Sequence, residues 1–295
     1  MSAAPSVEEA AIDNDVSRRV TAVITTYNSA HVIRATLEAI PTGVHVIVVD
    51  NASRDQTVTL VRGARPQAKI YAQALNVGFG PGCNVGLADV TTEFAVVINP
   101  DLVVAPTAIA RCLAAADQMP DAAIVGCRQR DAQAAALAPA SDAAVSDVES
   151  LSGAFMFMRI ALVRPLGFFD PNLFLYFEDS DLNLRVRLAG HRLIEVAAAR
   201  VQHLGGKSTA TSHDSQLEKM RIWGQSCAYF AEKHKDHPIG QRVARKVRSY
   251  TRRARIKRLL CQFDAAAELE ARIQGFKEYQ AGGVATLRDN LFARR

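Results

Sequence analysis

Long hydrophobic runs are missing from this chain of 295 residues. Nothing approaches the ~18 consecutive apolar positions needed to span a bilayer, so the chain is expected to be soluble or at most to lie on a membrane surface. Paired cysteines are missing too. The five present (Cys83, Cys112, Cys127, Cys227 and Cys261) are odd in number and far apart, with no CxxC. Neither a zinc site nor a disulfide framework is indicated, and buried free thiols in a reducing cytoplasm are expected. The first residues, MSAAPSVEEAAIDND, lack the basic and then apolar order of a signal peptide. No internal repeat is found. Hydrophobic residues at 49% and charged residues at 22% exclude collagen-like and wholly disordered chains.

Acid is absent from one stretch in particular. Residues 241–260 hold Arg242, Arg245, Lys246, Arg248, Arg252, Arg253, Arg255, Lys257 and Arg258 without an Asp or Glu. The whole chain carries +5, so the other 275 residues sum to −4. A mildly acidic body with one basic band excludes a nucleic-acid binder charged over its whole surface.

What is present is a regular alternation. After a polar lead over residues 1–18, expected to be disordered, strands are predicted at Val20–Thr26, Val44–Asp50, Lys69–Gln73 and Phe94–Asn99. Helices are predicted between and after them at Ala30–Ile40, Asp55–Gly63, Gly80–Asp89 and Pro106–Met119. Short apolar strands alternating with helices imply an α/β fold with a mostly parallel sheet covered on both faces. Residues 131–148 are low in complexity and read as a mobile loop or insertion. Leu151–Arg159 is a further strand, Leu182–Ala189 a helix stopped by Gly190, and Glu195–Gln202 a β-type run. From about His213 the chain reads as helix to its end, interrupted near His237-Pro238.

In a parallel sheet the carboxyl ends of strands gather ligands. Here those ends carry Thr25-Thr26-Tyr27-Asn28, Asp50-Asn51-Ala52-Ser53 and Asn99-Pro100-Asp101. Helix capping by Asp and Asn is the plainer reading of each site, and it stays open at this point. The segment Asn76–Gly86 is glycine-rich but is no dinucleotide fingerprint. It follows the third strand instead of the first, and Pro81 interrupts it. Its glycines are expected to let backbone approach a phosphate or sugar. The acids suggest chemistry. A divalent cation held by one Asp and one His would neutralise a diphosphate leaving group, and a separate carboxylate would deprotonate an incoming hydroxyl.

The series TTYN, VVDNAS, NVGFGPGCNVGL, INPDL, LSGAFMFMR, FLYFEDSDLNLRVRLAGH and VQHLGG occurs in this order over roughly residues 20–206. It resembles glycosyltransferase family 2, in particular the bacterial branch with rhamnosyltransferases and galactofuranosyltransferases. The resemblance implies a GT-A fold, Rossmann-like in its nucleotide-binding half, with a nucleotide-sugar donor, a divalent metal and inversion by direct displacement. It divides the chain into a catalytic domain at 19–212 and a helical extension at 213–295. Thr25, Tyr27 and Asp50 match nucleoside-binding positions, with Asp50 accepting from the pyrimidine N3–H. Asn76 and Asn84 fall where donor phosphates and sugar are approached. Asp101 matches the metal-binding carboxylate. Asn99 stands where the family's first DxD carboxylate would be, so it is expected to touch ribose or sugar. Asp179 matches the general base, and His203 a metal-ligating histidine, so Mn²⁺ or Mg²⁺ is implied. Glu178 and Asp181 are expected to support acceptor or base, with N-terminal capping as the alternative, preferred for Asp181.

The branch implies L-rhamnose from its thymidine diphosphate donor (dTDP-rhamnose), moved onto a surface-polysaccharide or lipid-linked saccharide. UDP-galactose, UDP-glucose or an N-acetylhexosamine donor would use the same Asp50 contact. A GT-A-like sugar- or partner-binding protein without turnover and a nucleotidyltransferase are the other readings. In the basic band Val243, Val247, Tyr250 and Ala254 recur at helical spacing, and Ile256, Leu259 and Leu260 extend that face. A basic amphipathic helix at 241–260 is expected to dock on anionic membrane, placing the protein on the inner face of the cytoplasmic membrane. The alternative is packing of the stripe on the catalytic domain. No aromatic–basic platform accompanies the band, so nucleic acid is not an expected partner.

Overall fold

The computed structural model describes residues 14–131, 144–204 and 213–292, without the side chains of 129–131, 248 and 284–292. They form two compact units. One takes the described residues up to Asn76, Gly82–Phe169, and Leu182 onward to 204. The other takes Val77–Pro81, Asp170–Asp181 and residues 213–292.

The first unit is built on a nine-stranded sheet. Its strands are β1 (Val20–Thr26), β2 (His45–Asp50), β3 (Lys69–Ala72), β4 (Phe94–Ile98), β5 (Leu102–Val104), β6 (Ala122–Asp131), β7 (Val145–Asp147), β8 (Phe155–Arg159) and β9 (Arg192–His203). They run in the order β3-β2-β1-β4-β8-β6-β9-β5, with β7 also on β9. All seven residues of β1 and all five of β4 are buried, which is why both read as unbroken apolar runs. β1, β2, β3 and β4 pair in parallel. Beyond β4 the sheet is mixed. β8 lies antiparallel to β4 and β6, β6 is parallel to β9, and β5 and β7 are antiparallel to β9. Among β1 to β4 the parallel pairing goes with the crossover helices that link them, as the geometry of such links requires.

Those helices are α2 (Ile33–Ala39), α3 (Thr57–Ala64) and α4 (Phe79–Ala88), and α5 (Ala108–Gln118) follows β5. They press Ile33, Leu37, Val61, Ile109, Cys112 and Leu113 into the core. Burial of each such side chain contributes about 1.5–3 kcal/mol. A first short helix, α1, covers residues 14–19. It stands where disorder was expected, and residues 1–13 lie outside the described chain. Arg19 ties it down through Asp15, Glu93 and Asp117, with its guanidinium over the Phe94 ring. Of the low-complexity stretch 131–148, residues 132–143 lie outside the described chain, while Val145–Asp147 pairs with β9. The strand order reverses beside β1, whose neighbours are β2 and β4. Ligand crevices in open α/β sheets form at such a switch point.

Between β8 and β9 lie α6 (Ile160–Val163), a 3₁₀ turn (Arg164–Leu166) and α7 (Glu178–Leu188), and the long helices of the helical unit follow β9. They are α8 (His213–Lys233), α9 (Pro238–Arg248), α10 (Tyr250–Leu259) and α11 (Phe263–Phe292), the last kinked at Gly283. The expected break at His237-Pro238 is real. His237 Nδ1 accepts from the Ile239 amide at 3.2 Å, and Pro238 takes the first helical position. α8 and α11 approach closely at reciprocal glycines. A Cβ on Gly224 would collide with Arg272 backbone, and one on Gly275 with Arg221 backbone.

The stripe Val243, Val247, Tyr250 and Ala254 packs inward with Cys227 and Leu269 of α8 and α11. It serves the helical unit's own core.

Candidate functional site

At the carboxyl end of β2, Asp50 is only 3% exposed. Its carboxylate accepts from Thr26 Oγ1 at 2.9 Å, the Ser53 amide at 2.9 Å and Ser53 Oγ at 2.5 Å. Two carboxylate oxygens offer about four acceptor sites, so one remains for a ligand donor while the group stays oriented. The loop after β1 is laced to the loop after β2. The Asn28 amide donates to Ser53 Oγ at 2.8 Å, and the Arg54 amide to Asn28 Oδ1 at 2.8 Å. Asn28 and Ala52 take positive φ, 49° and 59°, where the chain turns at these strand ends. That geometry is uncommon for residues other than glycine, and it clusters at ligand sites. Thr25 is buried at the end of β1, and Tyr27 is 37% exposed at the same edge.

Asp101 follows β4 and is fully buried. Neither of its carboxylate oxygens receives a hydrogen bond. A buried carboxylate in that state is costly unless something pairs with it. β5 pairs with β9 so that Leu102 lies opposite His203, and His203 Nε2 comes 3.4 Å from Asp101 Oδ2. Two residues separated by 102 positions are joined by sheet register. An oxygen and a nitrogen ligand side by side suit Mn²⁺ or Mg²⁺. No group of three His, Cys, Asp or Glu gathers among the described residues, so such an ion would complete its shell from the diphosphate and water. Asn99 Oδ1 is likewise buried without a hydrogen bond. Thr36 Oγ1 holds the turn between them by donating to the Pro100 carbonyl at 2.6 Å.

Asn84, expected at the donor, has its amide held at both ends by backbone, with one N–H and one oxygen lone pair to spare. Nδ2 donates to the Phe169 carbonyl at 2.7 Å, and Oδ1 accepts from the Phe169 amide at 3.0 Å. It braces the α6–α7 connection. The glycines serve packing. A Cβ on Gly86 would come within 2.6 Å of Val23 Cγ1, and one on Gly82 within 2.7 Å of Thr25 Cγ2. They let α4 lie close on β1. Asn76 is half-buried between β3 and α4.

In the helical unit, Asp179 lies half-buried at the start of α7 and accepts from the Ser180 amide at 2.6 Å. The two residues before this acidic turn, Tyr176 and Phe177, both have positive φ, 69° and 67°. Two bulky residues in succession in that region constitute local strain of the kind found at active sites. Glu178 is 6% exposed, and its Oε2 has no hydrogen-bond partner. Its carboxyl is pushed up to about 8, first by burial and then by the charge of Asp179.

Asp181 was expected to cap the helix. It instead lies past the cap, its amide already bonded to the Phe177 carbonyl, and its side chain is fully buried. Lys233 Nζ lies 2.6 Å and His234 Nε2 2.8 Å from Asp181 Oδ1. Lys233 also reaches Asp170 Oδ2 at 2.6 Å, which accepts from Tyr229 Oη at 2.8 Å. Burial alone would raise the Asp170 carboxyl, but Lys233, Asn172 and Tyr229 hold it below the usual range. The Tyr229 phenol is pushed up to about 12 by burial and by Asp170. Asp170, Tyr229, Lys233 and His234 escaped the sequence reading, since no local spacing ties them to α7. Ser53 was read only as part of a polar strand end, although a Ser three residues after an Asp is a readable turn signal for the bonds it gives Asp50.

A family model described as glycosyl transferase family 2 matches residues 21–181. The N-acetylglucosaminyl-diphospho-decaprenol L-rhamnosyltransferase of Mycobacterium tuberculosis is 24% identical over 217 residues, 59% of this chain and 71% of the relative. Among solved structures, the mannosyltransferase PcManGT from Pyrobaculum calidifontis, in complex with GDP-Man and Mn²⁺, aligns at a TM-score of 0.58. That match has 18% identity over 93% of this chain and 79% of the other. S. aureus TarS 1–349 in complex with UDP aligns at 0.54 with 17% identity, over 90% and 92%. The chain spans only 39% of the longer TarS structure. The structural likeness shows the GT-A fold. With the family model covering residues 21–181, the chain belongs to glycosyltransferase family 2 and is a glycosyltransferase.

Proposed function

We propose that the protein is an inverting, metal-dependent transferase that moves L-rhamnose from dTDP-L-rhamnose onto a lipid-linked saccharide. The catalytic domain is taken as residues 19–212 and the extension as 213–295. The observation that carries the metal-dependent reading is Asp101, buried with two oxygens that nothing hydrogen-bonds, beside His203. Mn²⁺ or Mg²⁺ bound there supplies positive charge for the leaving diphosphate. The transferred rhamnose and the lipid-linked acceptor are supported by the mycobacterial relative, whose name carries both.

The chain's own residues take the remaining roles. Asp50, oriented by Thr26 and Ser53, accepts from the N3–H of thymine. Thr25 and Tyr27 border the base, Asn76 approaches the diphosphate, and Asn99 Oδ1 accepts from a sugar or ribose hydroxyl. Asp179 receives the proton as the acceptor oxygen bonds to the anomeric carbon and the carbon–oxygen bond to the diphosphate breaks. A modestly basic carboxylate suffices, because the hydroxyl acidifies as its oxygen bonds to carbon. Glu178, neutral up to about pH 8, lends the acceptor a hydrogen-bond donor.

A UDP-hexose donor is the second reading. Uracil offers Asp50 the same N3–H, and TarS was solved with UDP. Among the described residues no helix is long and apolar enough to cross a membrane. A peripheral position on the inner face of the cytoplasmic membrane follows from the proposed acceptor.

The test is a panel of nucleotide sugars screened by thermal shift with Mn²⁺, then transfer assays with the best donor. Asp179→Asn is expected to abolish transfer while donor binding survives. Full transfer in that variant would move the base to Glu178. Donor binding with neither transfer nor hydrolysis in the unaltered protein would make it a silent sugar-binding member of the fold.

A further inference from the structure

Seven large apolar side chains are exposed among the described residues, and four of them fall within eight positions. These are Ile256 at 43%, Leu259 at 83%, Leu260 at 61% and Phe263 at 65%. They surround the turn between α10 and α11. The turn is an ordered, hydrogen-bonded feature. The Leu260 amide bonds to the Ile256 carbonyl at 3.1 Å, Cys261 to Arg258 at 3.0 Å and Gln262 to Lys257 at 2.9 Å. Cys261 takes φ 55°, the left-handed helix stop that glycine usually supplies. The chain therefore bears a conformational cost to reverse here while presenting leucine and phenylalanine to solvent.

The surroundings are cationic. Arg252, Arg253 and Arg255 are exposed on α10. Arg258 is neutralised by Glu270 at 2.7 Å, and Asp264 is exposed on the first turn of α11. On α9, Arg242, Arg245 and Lys246 are exposed as well, and 241–260 contains no acid. A second copy meeting this face across a twofold axis would oppose like charges.

We propose that the α10–α11 turn is a membrane wedge. Leu259, Leu260 and Phe263 enter the acyl boundary of a bilayer, while Arg252, Arg255 and the α9 cations meet anionic headgroups. This replaces the inward-packed stripe of Val243, Val247, Tyr250 and Ala254 as the membrane element. It deepens the reading of a lipid-linked acceptor, and its test needs neither donor nor acceptor.

The full chain is to be sedimented with phosphatidylcholine vesicles, with and without phosphatidylglycerol, at low and high salt. Binding is expected with anionic vesicles and to weaken as salt rises. Leu259→Ser/Leu260→Ser/Phe263→Ser is expected to lower partitioning at least about tenfold at every salt concentration. Arg252→Gln/Arg255→Gln is expected to lower it about 25-fold at low salt and to flatten the salt dependence. Circular dichroism and melting temperature should match the parent in both variants, because all five side chains are exposed. Cys261 is exposed, while the other four cysteines are buried, so it takes a polarity-sensitive dye. Its emission should shift blue on anionic vesicles. Absence of vesicle binding, equal binding by the triple variant, or an unshifted dye on bound protein would overturn the proposal. Self-association lost in the triple variant, without vesicle binding, would do the same and make the patch an interface between copies. Transfer to a soluble acceptor analogue should be unchanged in both variants. Its failure in the parent protein would count against the proposed reaction and leave the wedge standing.

Discussion

Asp101 and Asp181 are both fully buried carboxylates, one at a sheet edge and the other in the first turns of a helix. They differ in what surrounds them. Asp181 has a lysine at 2.6 Å and a histidine at 2.8 Å, and the lysine is shared with Asp170. Asp101 has two oxygens without hydrogen bonds and one imidazole at 3.4 Å. A carboxylate whose partners are built in contributes to the fold. One whose oxygens are left bare is destabilising in the fold and makes sense when a ligand completes it. Burial alone would have ranked the two residues equal.

The largest effects should separate them. Asp101→Asn is expected to lower transfer on the order of a thousandfold, since the lost charge stabilisation at the diphosphate amounts to several kcal/mol. Its melting temperature should match or exceed the parent's without metal, and stabilisation by Mn²⁺ should vanish. Asp181→Asn is expected to do the reverse. It leaves Lys233 facing an amide and costs on the order of 3 kcal/mol, read as a fall in melting temperature, with nucleotide binding retained. A destabilised Asp101→Asn beside a robust Asp181→Asn would break the comparison.

Glu178 sharpens it along a pH axis. Its carboxyl stands at about 8 in the folded protein against 4.5 for an ordinary glutamate. Between those values the folded state keeps a proton that the unfolded chain has released. The stability tied to this group is therefore full below about pH 4.5, declines as pH rises, and is lost through about pH 8. Glu178→Gln removes that dependence. Its melting temperature should equal the parent's near pH 4.5 and exceed it increasingly up to pH 9. A constant difference across the range would mean that Glu178 is ionised throughout.

Legibility in the sequence followed burial and distance. β1, β2 and β4 could be read nearly to the residue, because strands buried on both faces need unbroken apolar runs. β5 could not. Three residues after the Asn-Pro-Asp turn carry too little pattern, and β9 alone makes them a strand. β6 was missed because AAIVGCRQRD turns polar halfway and leads into low complexity. At the site, the residue types at strand ends were readable, and so was the acidic start of α7. The pairing of Asp101 with His203 depends on register, and that of Asp181 with Lys233 on the course of α8. Neither has a local signal. The basic band misled in a specific way: its regular stripe looked like a surface but builds a core, and the irregular turn after it stays exposed.

Asn84 gives the smallest effect and the finest distinction between ligand contact and brace. A donor-binding asparagine and a bracing one occupy the same place in the motif, and both would be sensitive to substitution. Their readouts differ. With Nδ2 and Oδ1 both held by the Phe169 backbone, Asn84→Ala removes two half-buried hydrogen bonds. The cost is about 1–3 kcal/mol, read in denaturant midpoint or melting temperature. The donor Kd, measured by calorimetry well below the melting transition, should stay within about twofold of the parent value, equivalent to less than about 0.5 kcal/mol. Asn84→Asp separates the two roles further. The carboxylate can still accept from the Phe169 amide but cannot donate to its carbonyl, so stability falls by about half as much as in the alanine variant. A negative charge beside a donor diphosphate would instead weaken nucleotide-sugar binding steeply. Strong loss of donor affinity in Asn84→Asp at unchanged stability would return this residue to the donor site, and α4 would then carry a ligand contact as well as its close packing on β1.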